Sequence, residues 1–193
     1  MSDKSAQKKK YIIEKAREIF IEKGFVAVTM KDIVEACDIS RGGLYLYFPD
    51  TDAVFQEVMK LEAAESGDSF SGIREDSTVS EILALFFKEQ KKELLHMRDT
   101  LAAAKYEYYF FTKTDKKDNL IRSQMQEATK MLEKLIALGI ERGEFAQVDP
   151  KGVAENIVYM LEGLKVTALT SGISEKIIDR ELMILMQRLI TED

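Results

Sequence analysis

The residues best equipped for chemistry in this sequence gather between positions 29 and 48. Thr29 and Ser40 carry hydroxyls that can donate to phosphate oxygens, and Tyr45 and Tyr47 offer hydroxyls at phosphate reach. Arg41 has a planar fork suited to phosphate or guanine, and Lys31 adds a positive charge. Gly42 and Gly43 stand inside a predicted helix, where each costs about 1 kcal/mol relative to alanine. A chain tolerates that cost where another surface must approach closely, and a groove floor is such a place. The set therefore reads as a contact surface for duplex DNA. Taken singly, the tyrosines also read as half-buried aromatics and Arg41 as a solvated charge, which would suit a helical protein-packing surface.

The local pattern supplies elements to hold these residues. A first helix is predicted over about 5–23, with Ile12, Ile13, Ala16, Ile19 and Phe20 as its apolar stripe and Gly24 as its stop. Before it, Lys4, Lys8, Lys9 and Lys10 read as a frayed terminus or a mobile basic arm. Thr29, with Asp32 three positions on, signals a capping box for a second helix. Asp38 and Ile39 make a tight connection, and Ser40 caps a third, short helix to about Leu46. That helix is too short to stand alone, so Leu44 and Phe48, four apart, must lock it onto a core. The three helices together form a helix-turn-helix head.

Composition narrows the alternatives. One histidine and one cysteine leave no ligand set for a transition metal, and no nucleophile–base–acid set, HExxH or phosphate-binding glycine loop is present. The expectation is a protein that is not an enzyme, with no cofactor and no metal. Cys37 cannot form an internal disulfide and reads as a small core residue, which fits a cytoplasmic location. No apolar run precedes Tyr11 and none approaches a membrane-spanning length, so neither a signal peptide nor a membrane partner is expected. The net charge of −6 opposes nucleic acid binding on its face, but it is unevenly spread. Residues 1–60 carry ten basic and ten acidic side chains, and the rest of the chain supplies the whole negative balance.

The remainder reads as helix throughout. A fourth helix, over about 51–65, connects to a region that begins with a Ser-, Gly- and Asp-rich loop over 66–77. Helices then follow from Val79, over about 99–111, through Met125 to Ile136, from Asp149–Pro150 to about Thr170, and from Ser174 to about Ile190. A charged turn or helix start is expected at 115–119, and His96 reads as a surface residue at a helix end or as a polar pocket group. The fold class is all-α: a three-helix head over 1–50, the connecting helix, and a helical domain over 66–193, about nine helices in all.

The spaced set Ala16, Phe20, Gly24-Phe25, Thr29, Ile33, Ala36, Ile39-Ser40, Gly43-Leu44-Tyr45 and Tyr47-Phe48 resembles the DNA-binding head of the TetR family of bacterial regulators over roughly residues 11–60. Two positions depart from the family pattern. Asp38 replaces a turn glycine, although aspartate tolerates left-handed geometry. Thr51, between Asp50 and Asp52, replaces a phosphate-contacting lysine. The body, through Thr100–Tyr108 and Gly139–Phe145, resembles a YfiR-like branch of the family.

The resemblance implies a homodimer that binds a palindromic operator as a repressor and is released by a small apolar effector. An activator or an effector-independent regulator of the same fold is the alternative, and a helical protein-interaction module the remote one. The expected effector-pocket residues are Tyr106, Tyr109 and Phe110, from an aromatic run in which five rings in six residues cannot all face one core, with Met125 and Met160 as adaptable walls that Met97 and Met131 could extend. The last two helices carry more apolar surface than one buried face needs. A four-helix dimer interface through Ile157, Leu161, Leu164, Ala168, Leu182, Leu185 and Leu189 is therefore expected, with Gly163 allowing close approach.

Overall fold

The computed structural model describes residues 3–65, 76–115 and 118–189. The loop expected over 66–77 lies outside the described residues except at its last two positions, as do Lys116 and Lys117 in the expected charged turn and Ile190 at the end of the last helix. Among the described residues the chain forms nine α-helices and no strand. They are α1 (Asp3–Lys23), α2 (Met30–Cys37), α3 (Arg41–Tyr45), α4 (Thr51–Glu65), α5 (Val79–Leu95), α6 (Ala102–Phe111), α7 (Leu120–Glu141), α8 (Pro150–Thr170) and α9 (Glu175–Gln187), with a 3₁₀ turn at Met97–Asp99. The chain divides into two compact units, Met1–Gly67 with Arg98–Lys113, and Asp68–Met97 with Thr114–Asp193.

In the first unit α1 packs against α2, α4 and α6, and α2 against α3. The apolar stripe of α1 is the spine of its core: Ile12, Ala16 and Phe20 are fully buried, and Ile33, Leu44, Val54 and Phe55 meet them from the other helices. Phe20, Phe25, Phe55 and Tyr108 form one aromatic cluster, with neighbouring ring centroids 4.7 to 6.2 Å apart. Tyr108 brings α6 into this unit, although the sequence places that helix with the second domain. Gly24 ends α1 with a left-handed φ of 77°. The lysine run is not an arm: Lys8, Lys9 and Lys10 are turns of α1, and Lys9 bonds Glu57 at 2.7 Å while lying 5.6 Å from the centre of the Phe48 ring.

In the second unit α7 packs along α8, and α5 packs against α7, α8 and α9. Its core joins Leu83, Phe86 and Phe87 of α5 to Leu132 and Ile136 of α7, Ile157 and Leu161 of α8, and Ile178 and Leu185 of α9. The start signals read at Asp149–Pro150 and Ser174 operate here: Asp149 caps α8 ahead of Pro150, and Ser174 caps α9. Thr78 caps α5 in a capping box with Glu81. His96 is exposed at the C-cap of α5, its Nδ1 2.9 Å from the Lys92 carbonyl. No helix among the described residues is long and apolar enough to cross a membrane.

The residues expected at the dimer interface need correction. Ile157, Leu161, Leu164, Ala168, Leu182, Leu185 and Leu189 are all buried in the protomer's own core. A side chain already enclosed by its own chain has no surface left for a second copy. The exposed apolar residues of the same two helices are Tyr159 and Val166 on α8 and Ile177, Met183 and Ile184 on α9. Gly163 is exposed on the Tyr159 side of α8, with open space where a Cβ would stand.

Candidate nucleic-acid interface

The second and third helices are held by local hydrogen bonds before any long-range packing. The Thr29 hydroxyl accepts from the Asp32 N–H, and Asp32 returns the bond to the Thr29 N–H at 2.8 Å. Two otherwise orphaned donors at the start of α2 are thereby satisfied. The Thr29 hydroxyl also donates to the Asp32 carboxylate. Lys23, in the last turn of α1, reaches the other oxygen of that carboxylate at 2.7 Å. The Lys23 hydrogen bond, followed by those from Thr29, holds the Asp32 carboxyl well below the usual carboxylate range. Thr29 is thus committed to its own helix. This corrects its expected role as a phosphate donor and leaves it as the residue that fixes where α2 begins.

Asp38 makes the turn. Its φ and ψ are both 49°, so aspartate does take up the left-handed geometry. Ser40 then caps α3 by accepting from the Gly43 N–H at 3.1 Å, which leaves the hydroxyl proton of Ser40 to donate. Leu44 is fully buried and Phe48 nearly so. Burying each contributes about 1.5–3 kcal/mol, enough to seat a five-residue helix that could not persist alone.

The anchoring leaves a defined set facing solvent. Arg41 is exposed, its guanidinium carbon 5.5 Å from the centre of the Tyr45 ring, a cation–π distance that restrains both groups. Gly42 is exposed, and a Cβ there would meet nothing within 4 Å. No neighbour in the protein therefore demands a glycine at this position. At Gly43 a Cβ would lie 3.1 Å from Ser40 Oγ, so its small size protects the cap. Tyr45 is 43% exposed, Tyr47 is half-buried, and Lys31 is exposed and 3.6 Å from Glu35. Sequence reasoning passed over Leu46, the C-cap of α3, which is 84% exposed. An apolar side chain there suits a thymine methyl group; its position after the buried Leu44, in a helix too short for any periodicity, was the only signal.

The acids that flank Thr51, where the family has a lysine, are occupied locally. Asp50 accepts from the Ala53 N–H at 2.8 Å and so caps α4, while Asp52 accepts from Gln56 at 2.8 Å. Cys37 is buried, and burial pushes its thiol up, as expected of an inert core residue.

The expected pocket residues do not form one lining. Tyr106 and Tyr109 are half-buried in the first unit, with the Tyr109 hydroxyl 3.9 Å from Met59 Sδ. Phe110 is 79% exposed, which corrects its placement in a pocket. The helical step of 100° per residue turns position 110 away from Tyr108, whose ring takes the core side. Met125 and Met160 pack against the core of the second unit. That unit does carry an open groove of about 560 Å³ lined by Ile82, Glu127, Lys130, Met131, Lys134, Leu135 and Leu138, none of them among the expected five.

Comparison with known proteins bears on the whole chain. Residues 12–58 match the family described as bacterial regulatory proteins, tetR family, and residues 82–178 match a tetracyclin repressor-like C-terminal domain. The YfiR HTH-type transcriptional regulator of Bacillus subtilis is 29% identical over 160 residues, covering 82% of this chain and 78% of that protein. The UidR regulator of Escherichia coli is 44% identical over 48 residues, 25% of this chain and 24% of that one. Among solved structures, a transcriptional regulator from Saccharomonospora viridis in complex with choline shares the fold with a TM-score of 0.79, at 16% identity over 97% of this chain and all of that one. A TetR regulator from Chloroflexus aurantiacus does so with a TM-score of 0.74, at 15% identity over 99% and 100%. With a helix-turn-helix head seated as described and matches along both parts of the chain, this protein belongs to the TetR family of transcriptional regulators, with a YfiR-like body.

Proposed function

We propose that the protein is a cytoplasmic, homodimeric repressor that binds a palindromic operator and leaves it when a small apolar effector binds the helical domain. The observation that carries the reading is α3. Leu44 and Phe48 bury it from one side while Arg41, Gly42 and Tyr45 stay open on the other. A helix spends burial energy in this way to present a surface, and Arg41 with Tyr45 offers a restrained fork beside an aromatic hydroxyl. Ser40, Gly43, Tyr47 and Lys31 complete the proposed contact set. Duplex recognition needs two such heads about 34–36 Å apart, or a multiple. The exposed apolar residues Tyr159, Val166, Ile177, Met183 and Ile184 support α8 and α9 as the surface that joins two copies. For the effector, the groove beside Met131 and Leu135 is the favoured seat, since its volume falls in the range usual for small-molecule sites. The choline-bound regulator of the same fold supports a ligand-bound state.

The test is fluorescence anisotropy on the duplex upstream of the protein's own gene, titrated with salt, with wild type and Arg41→Ala. Saturable binding is expected, with an affinity that falls on a log–log line against salt. Arg41→Ala should weaken it by about 1–3 kcal/mol, roughly 5- to 150-fold. Equal affinity for this duplex, for sequences selected from a random library and for arbitrary DNA would sink the operator reading.

A further inference from the structure

We infer that Glu107, on α6, is a positioning residue for DNA binding: it holds the turn from which the reading helices spring. The inference rests on the operator-binding reading above. The Val26 N–H donates to Glu107 Oε2 at 3.0 Å. The same carboxylate closes over Gly24, where a Cβ would stand 2.5 and 2.6 Å from its two oxygens. A side chain at 24 would strain a φ of 77° and would oblige the flexible end of Glu107 to swing away from its bond to Val26.

The neighbouring side chains make the contact directional. Tyr108 stands edge-on to Phe25, with centroids 4.9 Å apart, so α6 grips the residues on both sides of that ring's backbone. Lys105 reaches Glu62 on α4 at 2.5 Å. The turn over residues 24–29 is consequently fixed at two points, by Glu107 at Val26 and by the Lys23–Asp32 bridge across its ends. Three residues beyond Val26 comes Thr29, which sets where α2 begins, and α2 carries α3. A small swing at Val26 is thus passed on to Arg41 and Tyr45 through short, rigid pieces.

A structural and a positioning role separate cleanly here because Val26 is 56% exposed. When the carboxylate is removed, water can take the Val26 N–H, so the fold loses little while the turn loses its anchor. Register on specific bases should then suffer, and sequence-independent attraction to phosphate should not.

The experiment compares Glu107→Ala and Glu107→Gln with wild type in the full chain. Affinities are measured for the upstream duplex and for a random duplex of equal length, and amide hydrogen exchange is followed at Val26 and through α2 and α3. For Glu107→Ala the expected results are a loss of specific affinity between roughly 2- and 30-fold, unchanged random-duplex affinity and faster exchange through the turn and α2. Glu107→Gln keeps an acceptor oxygen and should restore both readouts. Wild-type exchange in Glu107→Ala would overturn the proposal whatever the DNA results. Parallel loss on both duplexes would also overturn it, because the residue would then be merely structural. If wild type itself prefers no duplex, the operator reading fails, and with it the DNA-positioning role, even where exchange shows that Glu107 holds the turn.

Discussion

A methyl group added at Gly139 should destabilise this protein although it lies within a helix, in the last turn of α7. Alanine in place of glycine gains up to about 1 kcal/mol inside a helix. At Gly139, however, a Cβ would stand 2.2 Å from Cδ2 and 2.5 Å from Cε2 of Phe145. Ordinary contact begins near 3.4 Å, so the ring must withdraw by more than an ångström. It has little freedom to do so. Phe145 is 3% exposed within the core of the second unit, and its backbone N–H donates to the Gly139 carbonyl at 3.2 Å. The next residue, Ala146, donates to the Leu189 carbonyl at 2.9 Å, which pins the strand of chain from the other end.

Two limits bound the cost. If the ring slides within its seat, overpacking costs about 1–3 kcal/mol. If it is expelled, the loss approaches the 3–5 kcal/mol of a phenylalanine truncation. After crediting the helix gain, Gly139→Ala should lose about 2 kcal/mol, which lowers Tm by roughly 4–8 °C for a chain of this size. The assay is urea and thermal unfolding followed by circular dichroism at one fixed protein concentration, since association shifts apparent stability. A double-mutant cycle isolates the cause: in a Phe145→Ala background the same methyl should become neutral or stabilising by about 1 kcal/mol. Equal or greater stability of the single variant, or the same loss in both backgrounds, would refute the steric argument.

Three further outcomes follow from the same geometry. Thr29→Ala should cost about 1 kcal/mol through loss of the capping box, read as a urea midpoint shift. Asp32 has its carboxyl depressed by Lys23 and then by Thr29, so its contribution is present above the usual carboxylate range near pH 4 and is lost as pH falls toward its folded value. The stability gap between wild type and Asp32→Asn should therefore narrow from about pH 6 to about pH 3, and a constant gap would show that the charge is irrelevant. On the proposed homodimer, with its interface at the exposed face of α9, Met183→Glu should give a sedimenting monomer with unchanged helicity, because Met183 is 59% exposed there; a dimer that survives it would move the interface elsewhere.

What was legible in the sequence follows from how many partners each position has to satisfy. The caps at Thr29, Ser40, Asp149 and Ser174 were readable because a cap needs only its own first turn. The locking pair Leu44 and Phe48 was readable because one short helix has one core to find. What stayed open at Thr29 was where its hydroxyl proton goes: the capping box with Asp32 was readable, but that the same hydroxyl also donates to the Asp32 carboxylate depends on a rotamer that residue types leave open. Phe110 and Tyr108 illustrate the same gap. Five aromatics in six positions announce that some must face away, but only the seat between Phe25 and Phe55 decides that Tyr108 turns inward.

The last two helices show why an apolar excess is easier to read than to assign. Helix α8 is apolar at Ile157, Leu161, Leu164 and Ala168, and also at Tyr159 and Val166, so it carries two stripes at helical spacing. Nothing in the sequence says which stripe belongs to the protomer and which to a partner. Packing decides it. The stripe of aliphatic residues meets the apolar faces of α5 and α7 and is buried almost completely, whereas the stripe with Tyr159, Gly163 and Val166 is left outside. Tyrosine has a hydroxyl to keep wet, and glycine beside it lets another backbone come close, so the residues left exposed are those that a second, reversible surface can use. The inference that the chain has surface to spare survives from sequence to structure, while the residues that provide it change places.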